Sequence, residues 1–403
     1  MKVIYDKDKQ RWPIKLWLDD IEDGAMKQAI NLSNLPYVYS HVAIMPDSHQ
    51  GYGMPIGGVI ATDNVVVPNA VGKDIGCGMC AVKTVLNAEQ LNTDVIKKIM
   101  GKIREEVPIG FNHHKVAQDK ILMPFKFNEE YFPISNREYE SSLYQLGTLG
   151  GGNHFIEIQK DLDNSVWIMI HSGSRNIGLK VADHYNDIAI KTSEERYHKI
   201  PKEWELAYLP CDSKEGELYL QEMRYCVEFA LANRKLMMCR ISNIMADEMK
   251  IDRELFWDNP MINIAHNYAV NEYHFHRDVM VHRKGATLAT TDTIGIIPGS
   301  QGSKSYIVKG KGNPDSFNSC SHGAGRRLGR GKARRELNLE EQIKKLNDQG
   351  IIHSIRNTND LDEAPDAYKD ISTVMKNQED LVEILVELSP MAVIKSDDSR
   401  KRK

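Results

Sequence analysis

The sequence of 403 residues predicts an α+β fold: one large unit in which helices surround a β-sheet core. Short runs that are rich in β-branched residues and bounded by glycine or proline indicate strands. A long segment at about 217–250 carries apolar residues at i, i+3, i+4 and i+7, which indicates an amphipathic helix. Strands and helices are interspersed without regular βαβ alternation, which argues against a doubly wound parallel sheet.

The predicted elements follow one another in mixed order along the chain. The predicted strands are 59–61, 65–67, 81–86, 155–159, 166–170, 279–282, 293–297 and 305–309. The predicted helices are 92–106, about 217–250, 339–347 and 368–388. Residues 111–137 are polar, aromatic and irregular, which predicts a long loop, and residues 396–403 form a charged tail. A length of roughly 150 residues per domain would allow two or three domains, but no linker or repeat is visible, so we expect one domain over residues 1–395.

Composition and charge exclude several classes of protein. Hydrophobic residues make up 41% and charged residues 27% of the chain, which suffices for a sizeable core. The apolar runs are far shorter than the roughly 18 residues of a membrane span, and the N-terminus lacks the apolar region of a secretory signal. The formal net charge of −4 argues against a nucleic-acid coat protein but leaves room for a local basic groove. Six cysteines without a disulfide framework favour a reduced, cytoplasmic location.

Glycine-rich turns carry a group of candidate metal ligands. Asp74 and Cys77 are three residues apart in such a turn, and His154 and His171 stand at the ends of predicted strands. A thiolate and a carboxylate can share one divalent ion or bridge two, and His266 adds a further imidazole. Cysteine and histidine alone suggest zinc, whereas the carboxylate admits manganese. The alternative is a set of buried structural residues, because free cysteine is among the most buried residue types.

A second group of residues suits phosphate chemistry. His322 is flanked by Gly323 and Gly325 and is followed by basic residues from Arg326 to Arg335, so it could attack phosphorus while arginines contact phosphates. The alternative for the basic run is a solvated helix face. Residues 298–306 form a polar turn whose N–H groups and hydroxyls suit a phosphate or a nucleobase, unless it is an ordinary β-turn. No P-loop motif occurs, which excludes a P-loop nucleotidase.

Six motifs, in order along nearly the whole chain, resemble those of the RtcB family of RNA-splicing ligases. They are Met45-Pro46-Asp47-Ser48-His49-Gln50-Gly51-Tyr52-Gly53, Asp74-Ile75-Gly76-Cys77-Gly78-Met79, Gly151-Gly152-Asn153-His154-Phe155-Ile156-Glu157, His171-Ser172-Gly173-Ser174-Arg175, His266-Asn267-Tyr268 and Cys320-Ser321-His322-Gly323-Ala324-Gly325-Arg326. The match extends from about residue 14 to Lys395. Each motif alone is weak, but the set in register is highly specific.

The resemblance implies an RtcB-like fold and a GTP- and Mn²⁺-dependent RNA ligase of the bacterial type, acting in tRNA splicing or RNA repair. Such an enzyme joins an RNA 3′-phosphate, or a 2′,3′-cyclic phosphate after opening it, to a 5′-hydroxyl. His322 would attack the α-phosphate of GTP, release pyrophosphate and hold GMP, which then passes to the RNA 3′-phosphate. The implied partners are RNA with these ends and, as a candidate, an archease-type activator. We expect a monomer.

The resemblance also assigns residues, motif by motif. The metal ligands, for two Mn²⁺ ions bridged by Cys77, are Asp74, Cys77, His154, His171 and His266. The GTP- or GMP-binding positions are Asn153, His154, Phe155, Ile156, Glu157, His266, Asn267, Pro298, Gly299, Ser300, Gln301, Ser305, His322, Gly323, Ala324, Gly325, Tyr368 and Lys395. Glu157 is suited to accept hydrogen bonds from the N–H edge of guanine, which would favour guanine over adenine. Candidates for RNA contacts are Arg175, Arg326, Arg327 and Arg330.

The sequence also departs from the family, and two other classes of function stay open. Gln301 stands where many members carry Met, and residues 111–137 match the family poorly. One alternative is a metal-dependent phosphoesterase that activates water on nucleic-acid ends. The other is a non-catalytic paralogue that binds RNA ends. Transfer of GMP from GTP to the protein separates the ligase from both alternatives.

Overall fold

The chain is built on β-strands, and the computed structural model describes it at residues 1–125, 131–195 and 200–396. In chain order the strands are β1 (Lys2–Ile4), β2 (Ile14–Leu16), β3 (Val38–His49), β4 (Ile56–Thr62), β5 (Val65–Val66), β6 (Gly78–Asn87), β7 (Phe155–Lys160), β8 (Ser165–Ser172), β9 (Leu209–Pro210), β10 (Ile262–Ala265), β11 (Asn267–His274), β12 (Arg277–Lys284), β13 (Ala286–Leu288), β14 (Ile294–Ile297), β15 (Ser305–Gly310), β16 (Ser319–Ser321) and β17 (Val382–Lys395).

Within these described residues, most strands belong to two large sheets. The first sheet has the spatial order β1-β2-β3-β4-β12-β11, and the second has the order β10-β6-β8-β7-β17-β15-β14. Two short pairs, β13 with β16 and β5 with β9, complete the pattern. Strands that are distant in the chain are neighbours in the sheets, so the two sheets bring together residues from the whole length of the chain.

Helices pack around the sheets, which confirms the predicted α+β class. In chain order they are α1 (Asp23–Ser33), α2 (Pro68–Val71), α3 (Thr93–Glu106), α4 (Pro133–Gln145), α5 (Arg175–Glu195), α6 (Lys214–Met249), α7 (Arg330–Glu336), α8 (Leu339–Asp348) and α9 (Ile371–Lys376). Among the helices described, none is both long and apolar enough to cross a membrane.

Helix α3 illustrates how the local sequence determines an element. The Asn92 side chain accepts hydrogen bonds from the N–H groups of Asp94 and Val95 and so caps the helix. The buried positions recur at helical spacing and pack against α6 and the second sheet: Ile96, Ile99, Met100 and Ile103. Burying one such side chain stabilises the fold by about 1.5–3 kcal/mol. The prediction of a helix over 92–106 is confirmed.

The helix predicted at 368–388 is wrong. Only α9 (Ile371–Lys376) lies in this range, and β17 begins at Val382. Alternating Val382, Ile384, Val386 and Leu388 have the period of a strand, and they pair with β15. After a bulge near Pro390, the same strand pairs with β7, so the contacts of β17 with distant strands determine its conformation.

The loop predicted at 111–137 is partly wrong. Helix α4 begins at Pro133, where the missing N–H of proline suits the first turn of a helix. Glu222 of α6, which is fully buried, accepts hydrogen bonds from the backbone N–H groups of Ile134 (2.8 Å) and Ser135 (2.6 Å). A carboxylate from a distant helix therefore caps α4. Residues 126–130 and most of the predicted tail, 397–403, lie outside the described residues.

Candidate functional site

A cavity of about 790 Å³ lies where strand ends of the two sheets meet. The first sheet contributes the end of β3, the start of β4 and the residues beside β11 and β12. The second sheet contributes the turn before β6, the start of β7 and the end of β8. Strand ends next to glycine-rich turns are positions where a rigid scaffold can hold reactive side chains.

The five predicted metal ligands converge at one wall of this cavity. Cys77 Sγ lies 3.4 Å from His154 Nε2 and 3.2 Å from His171 Nε2. Asp74 Oδ2 lies 3.2 Å from His154 Nε2, and His171 Nε2 lies 3.4 Å from His266 Nε2. Three of these ligand atoms, on Cys77, His154 and His171, lie within 4.8 Å of one another. One thiol, one carboxylate and three imidazoles form a donor set that fits Mn²⁺ or Zn²⁺.

Strand register explains why these residues meet. Gly78, which follows Cys77, pairs with Ser172 of β8 and with Ala265 of β10. Phe155, which follows His154, pairs with His171. The register therefore brings Cys77, His154, His171 and His266 to the same end of four neighbouring strands.

Backbone carbonyls orient two of the imidazoles. His154 Nδ1 lies 2.9 Å from the carbonyl oxygen of Leu149, and His171 Nδ1 lies 3.2 Å from that of Asn153. Because a carbonyl can only accept, each Nδ1 carries the proton and each Nε2 presents its lone pair to the cluster. This is the tautomer that a metal ligand requires.

The electrostatics of the cluster suit a cation. Burial and neighbouring histidines lower the pKa of His171 and His266 well below the ordinary value, so both imidazoles are neutral. Burial raises the pKa of Asp74, but its contacts with His154 and the Cys77 thiol, together with the Arg175 charge, outweigh this and lower the pKa to about 2. Burial and the Asp74 carboxylate raise the pKa of the Cys77 thiol well above its ordinary value. A bound metal ion would stabilise the thiolate that burial disfavours.

Arg234 lies fully buried behind the cluster. From α6 it donates hydrogen bonds through Nη1 to the carbonyl oxygens of Gly76 (3.0 Å) and Ser172 (2.8 Å), and through Nε to Asn263 (2.8 Å). The two carbonyls adjoin Cys77 and His171. Arg234 thus joins the two backbone segments that present these ligands, a role that its sequence context gave no signal to predict.

His322 directly follows β16 of the short β13–β16 pair and faces the cluster. Its ring centroid lies 4.7 Å from that of His266. His322 Nδ1 lies 2.6 Å from Asp47 Oδ2, and the His322 backbone N–H donates to the same oxygen at 3.1 Å. Because the carboxylate accepts, Nδ1 carries the proton and Nε2 keeps the lone pair that a nucleophile needs.

Asp47 is a functional residue that was not assigned from the sequence. It is fully buried at the end of β3, and its Oδ1 has no hydrogen-bond partner among the described residues. Gly325 has a φ of +73°, and a Cβ on it would lie 2.0 Å from the Asp47 carbonyl oxygen. Only glycine allows this close approach of the His322 segment to Asp47. The Met45–Gly53 motif contained the signal, since an acidic residue in a glycine-bounded, ordered segment is a candidate partner for a histidine.

The same cavity includes a polar pocket around Glu157. Burial raises the pKa of Glu157 to about 7, although Gln159 and Lys395 partly oppose the shift. Lys395 Nζ lies 2.7 Å from Glu363 Oε2 and 5.6 Å from the centre of the Phe155 ring. The Lys395 and Arg326 cations outweigh the effect of burial on Glu363 and set its pKa at about 2. Like Asp47, Glu363 is a residue of the site that the sequence did not assign and that only its contacts in the folded chain identify.

Most residues predicted for the guanylate site line this cavity. They are Asn153, Phe155, Glu157, His266, Asn267, Pro298, Gly299, Ser300, Gln301, His322, Gly323, Ala324, Gly325, Tyr368 and Lys395. Three predicted residues are not in the lining. His154 lies in the metal-ligand cluster, and the other two lie behind the wall. Ile156, on the other face of β7, packs in the hydrophobic core, and Ser305 Oγ accepts hydrogen bonds from Gly299 N (3.1 Å) and Gln159 Nε2 (3.1 Å).

The four predicted RNA-contacting arginines fall into two kinds. Arg327 and Arg330 are exposed and line the cavity. Arg326 Nη1 donates hydrogen bonds to Glu363 Oε1 at 3.3 Å and to Tyr368 Oη at 3.2 Å. Arg175 donates through Nε to Thr148 Oγ1 at 3.2 Å. Arg175 and Arg326 therefore stabilise the walls. The more exposed Arg327 donates to the Asp366 carbonyl oxygen at 3.0 Å, and Arg330 lies 3.8 Å from Glu363.

A histidine oriented by a carboxylate, beside a cluster of metal ligands and a polar pocket, is the arrangement of a metal-dependent phosphoryl- or nucleotidyl-transfer enzyme. The family model described as tRNA-splicing ligase RtcB matches residues 28–129 and 126–396. The chain belongs to this family, membership of which implies GTP and manganese.

Curated relatives agree with the family match. The RNA-splicing ligase RtcB of Escherichia coli K12 is 37% identical over an alignment of 407 positions, gaps included, which covers 95% of this chain and 97% of the relative. The tRNA-splicing ligase RtcB of Nanoarchaeum equitans is 32% identical over an alignment of 462 positions, which covers 96% of each chain. The RNA-splicing ligase RtcB of Mycobacterium tuberculosis is 31% identical over an alignment of 441 positions, which covers 91% of this chain and all of the relative.

Proposed function

We propose that this chain ligates RNA through a guanylate carried on His322. As a member of the RtcB family it is an RNA ligase that joins a 3′-phosphate end to a 5′-hydroxyl end. The observation that carries the proposed route is the 2.6 Å contact between His322 Nδ1 and Asp47, which leaves the Nε2 lone pair free in a cavity beside the metal-ligand cluster.

In the first step, His322 Nε2 attacks the α-phosphorus of GTP. The new N–P bond replaces the bond to the bridging oxygen, and pyrophosphate leaves. The attacking imidazole becomes cationic, and Asp47 stabilises that charge by accepting the hydrogen bond from His322 Nδ1–H. Glu157 accepts hydrogen bonds from the N–H edge of guanine, while Lys395 lies beside it.

In the second step, an oxygen of the RNA 3′-phosphate attacks the same phosphorus, and His322 Nε2 leaves as a neutral imidazole. The 3′-phosphate now carries GMP as a leaving group. The 5′-hydroxyl of the second RNA attacks that phosphate, loses its proton and expels GMP, which forms the 3′,5′-phosphodiester. A 2′,3′-cyclic phosphate is first opened by water to a 3′-phosphate.

Asp74, Cys77, His154, His171 and His266 would hold two Mn²⁺ ions, with Cys77 shared between them. The distances of Cys77 Sγ to His154 Nε2 (3.4 Å) and to His171 Nε2 (3.2 Å) support this role. Bound divalent ions neutralise the negative charge that collects on the transferring phosphoryl group.

Intact mass spectrometry after incubation with GTP and Mn²⁺ tests the proposal. The protein is expected to gain one acid-labile GMP, and His322→Ala is expected to gain none. The matched control is His276→Asn, because His276 is exposed and is not among the residues that line the cavity. No GMP on the unmodified chain would contradict the proposal and favour a phosphoesterase or an RNA-end-binding protein.

The proposal extends to location and partners. The cysteines of the described chain are free thiols, consistent with a reduced cytoplasm, where GTP and RNA are present. Residues from Glu22 to Lys395 line the proposed site, which supports action as one domain over residues 1–395. Action as a monomer stays a prediction. An archease-type activator is a candidate partner, tested by its effect on the rate at which GMP is transferred to His322.

A further inference from the structure

Tyr52 is an exposed aromatic side chain at the cavity. It retains 66% of its accessible surface. Of the exposed large apolar side chains in the described part of the chain, only Tyr52 lines the cavity. Its neighbours His49, Gln50 and Gly51 also line the cavity, at and just after the end of β3, the strand that carries Asp47.

The backbone that carries Tyr52 is held from three sides. Gln28 of α1 donates to the carbonyl oxygen of Gly51 (2.7 Å) and accepts from its N–H (3.1 Å). The N–H of Gly53 donates to Glu205 Oε2 at 3.1 Å. A Cβ on Gly53, whose φ is +65°, would lie 2.6 Å from the Glu205 carbonyl oxygen. The segment is thus tightly fixed although its aromatic ring is exposed.

The third support is a buried lysine. Lys284, at the end of β12, is 4% exposed, and its Nζ donates to the carbonyl oxygens of Tyr52 (2.5 Å) and Asn69 (2.8 Å). Lys284 therefore fixes the Tyr52 backbone rather than offering a free charge, because burial lowers its pKa to about 7.

We propose that Tyr52 is a stacking platform for a base next to the end of an RNA strand that enters the cavity. A rigid, exposed aromatic binds single-stranded nucleic acid because every base offers a π-face on which it can stack. The fixed backbone lowers the entropic cost of binding. Tyr52 lines the cavity but is not among the predicted guanylate positions, so its ring is open to RNA. The inference rests on the proposed ligase function and adds an RNA subsite to it.

Fluorescence of 2-aminopurine in RNA tests the platform directly. One RNA carries it beside a 3′-phosphate and another beside a 5′-hydroxyl, and each is titrated with protein at constant Mn²⁺ without GTP. Stacking on Tyr52 is expected to quench the fluorescence of at least one RNA. Tyr52→Phe should keep the quenching, whereas Tyr52→Ala should lose it and bind that RNA about five- to a hundredfold more weakly.

Tyr273→Ala is the matched control, because Tyr273 is 67% exposed but lies on β11 away from the cavity lining. Quenching by Tyr52→Ala equal to that of the unmodified protein would overturn the inference. Loss of quenching in Tyr52→Phe would overturn it too, since the hydroxyl rather than the ring would then bind.

An abasic nucleotide keeps the inference testable if Tyr52→Ala fails to fold. Replacing the stacked base by an abasic site is expected to weaken binding to the unmodified protein by the same factor, and unchanged binding would overturn the platform. The outcome is separate from the ligase test. A protein that takes no GMP yet quenches the RNA loses its proposed function, whereas one that ligates without quenching loses only the platform.

Discussion

Replacing Asp47 separates the two contributions that it makes to His322. Two N–H groups of His322 donate to one oxygen, Asp47 Oδ2, at 2.6 and 3.1 Å, while Oδ1 has no partner among the described residues. In Asp47→Asn the amide oxygen can take the place of Oδ2, so the imidazole keeps its tautomer and loses only the neighbouring charge. In Asp47→Ala both hydrogen bonds are lost.

The structure sets the expected magnitudes. A hydrogen bond to a charged group contributes about 1.5–3 kcal/mol and a neutral one about 0.5–1.5 kcal/mol, so Asp47→Asn should slow transfer of GMP about tenfold. Asp47→Ala leaves two N–H groups without an acceptor beside a buried position. At about 1–3 kcal/mol each, or about 2–6 kcal/mol together, this predicts a loss of about 30-fold to about 10⁴-fold.

The assay is single-turnover labelling of the protein with α-³²P-GTP at saturating Mn²⁺. The exposed Asp292 provides the matched control, Asp292→Asn, and thermal unfolding reports whether each variant folds. A rate for Asp47→Ala within threefold of the unmodified protein would refute the orienting role. Equal losses in Asp47→Asn and Asp47→Ala would refute the separation of charge from tautomer.

Two further predictions concern the metal and guanine sites. Cys77→Ala is expected to lose bound Mn²⁺ and GMP transfer together, measured by elemental analysis and intact mass beside Cys239→Ala, and unchanged metal content would contradict the shared-ligand role. The affinity for GTP is expected to fall about tenfold per pH unit below 7 and to level off above, because only the ionised Glu157, whose pKa burial raises to about 7, accepts hydrogen bonds from guanine. The ratio of the GTP affinity of the unmodified protein to that of Glu157→Gln isolates the effect of Glu157 ionisation. A ratio that does not change with pH, or equal labelling of the protein by ATP and GTP, would contradict the role of Glu157.

Elements with a local cause were predictable from the sequence, and elements with distant causes were not. The period of Ile96, Ile99 and Ile103 and the cap at Asn92 lie within α3 itself. By contrast, β17 gains its hydrogen bonds from β15 and β7, so the range 368–388 carried a helical pattern that strand pairing overrode.

The same distinction applies to the site. The metal ligands and His322 are metal-binding or nucleophilic side chains within glycine-rich motifs. Both their residue types and the resemblance to the RtcB family therefore identified them. Asp47 contacts His322 across 275 residues of chain, and Arg234 reaches Gly76 across 158. An aspartate or an arginine has many ordinary positions in a protein, and only the folded neighbourhood gives these two their roles.

The distribution of charges in the folded chain explains how a protein with a net charge of −4 can act on RNA. The basic run after His322 is partly neutralised, because Arg326 lies 3.3 Å from Glu363 and Arg334 lies 2.6 Å from Asp362. Lys395 is likewise paired with Glu363. Candidates to attract an RNA phosphate at the cavity are the exposed Arg327, which donates to the Asp366 carbonyl oxygen, and the metal ions that the ligand cluster would hold. Attraction of the RNA end is therefore local, and it is coupled to the same ions that the transfer chemistry requires.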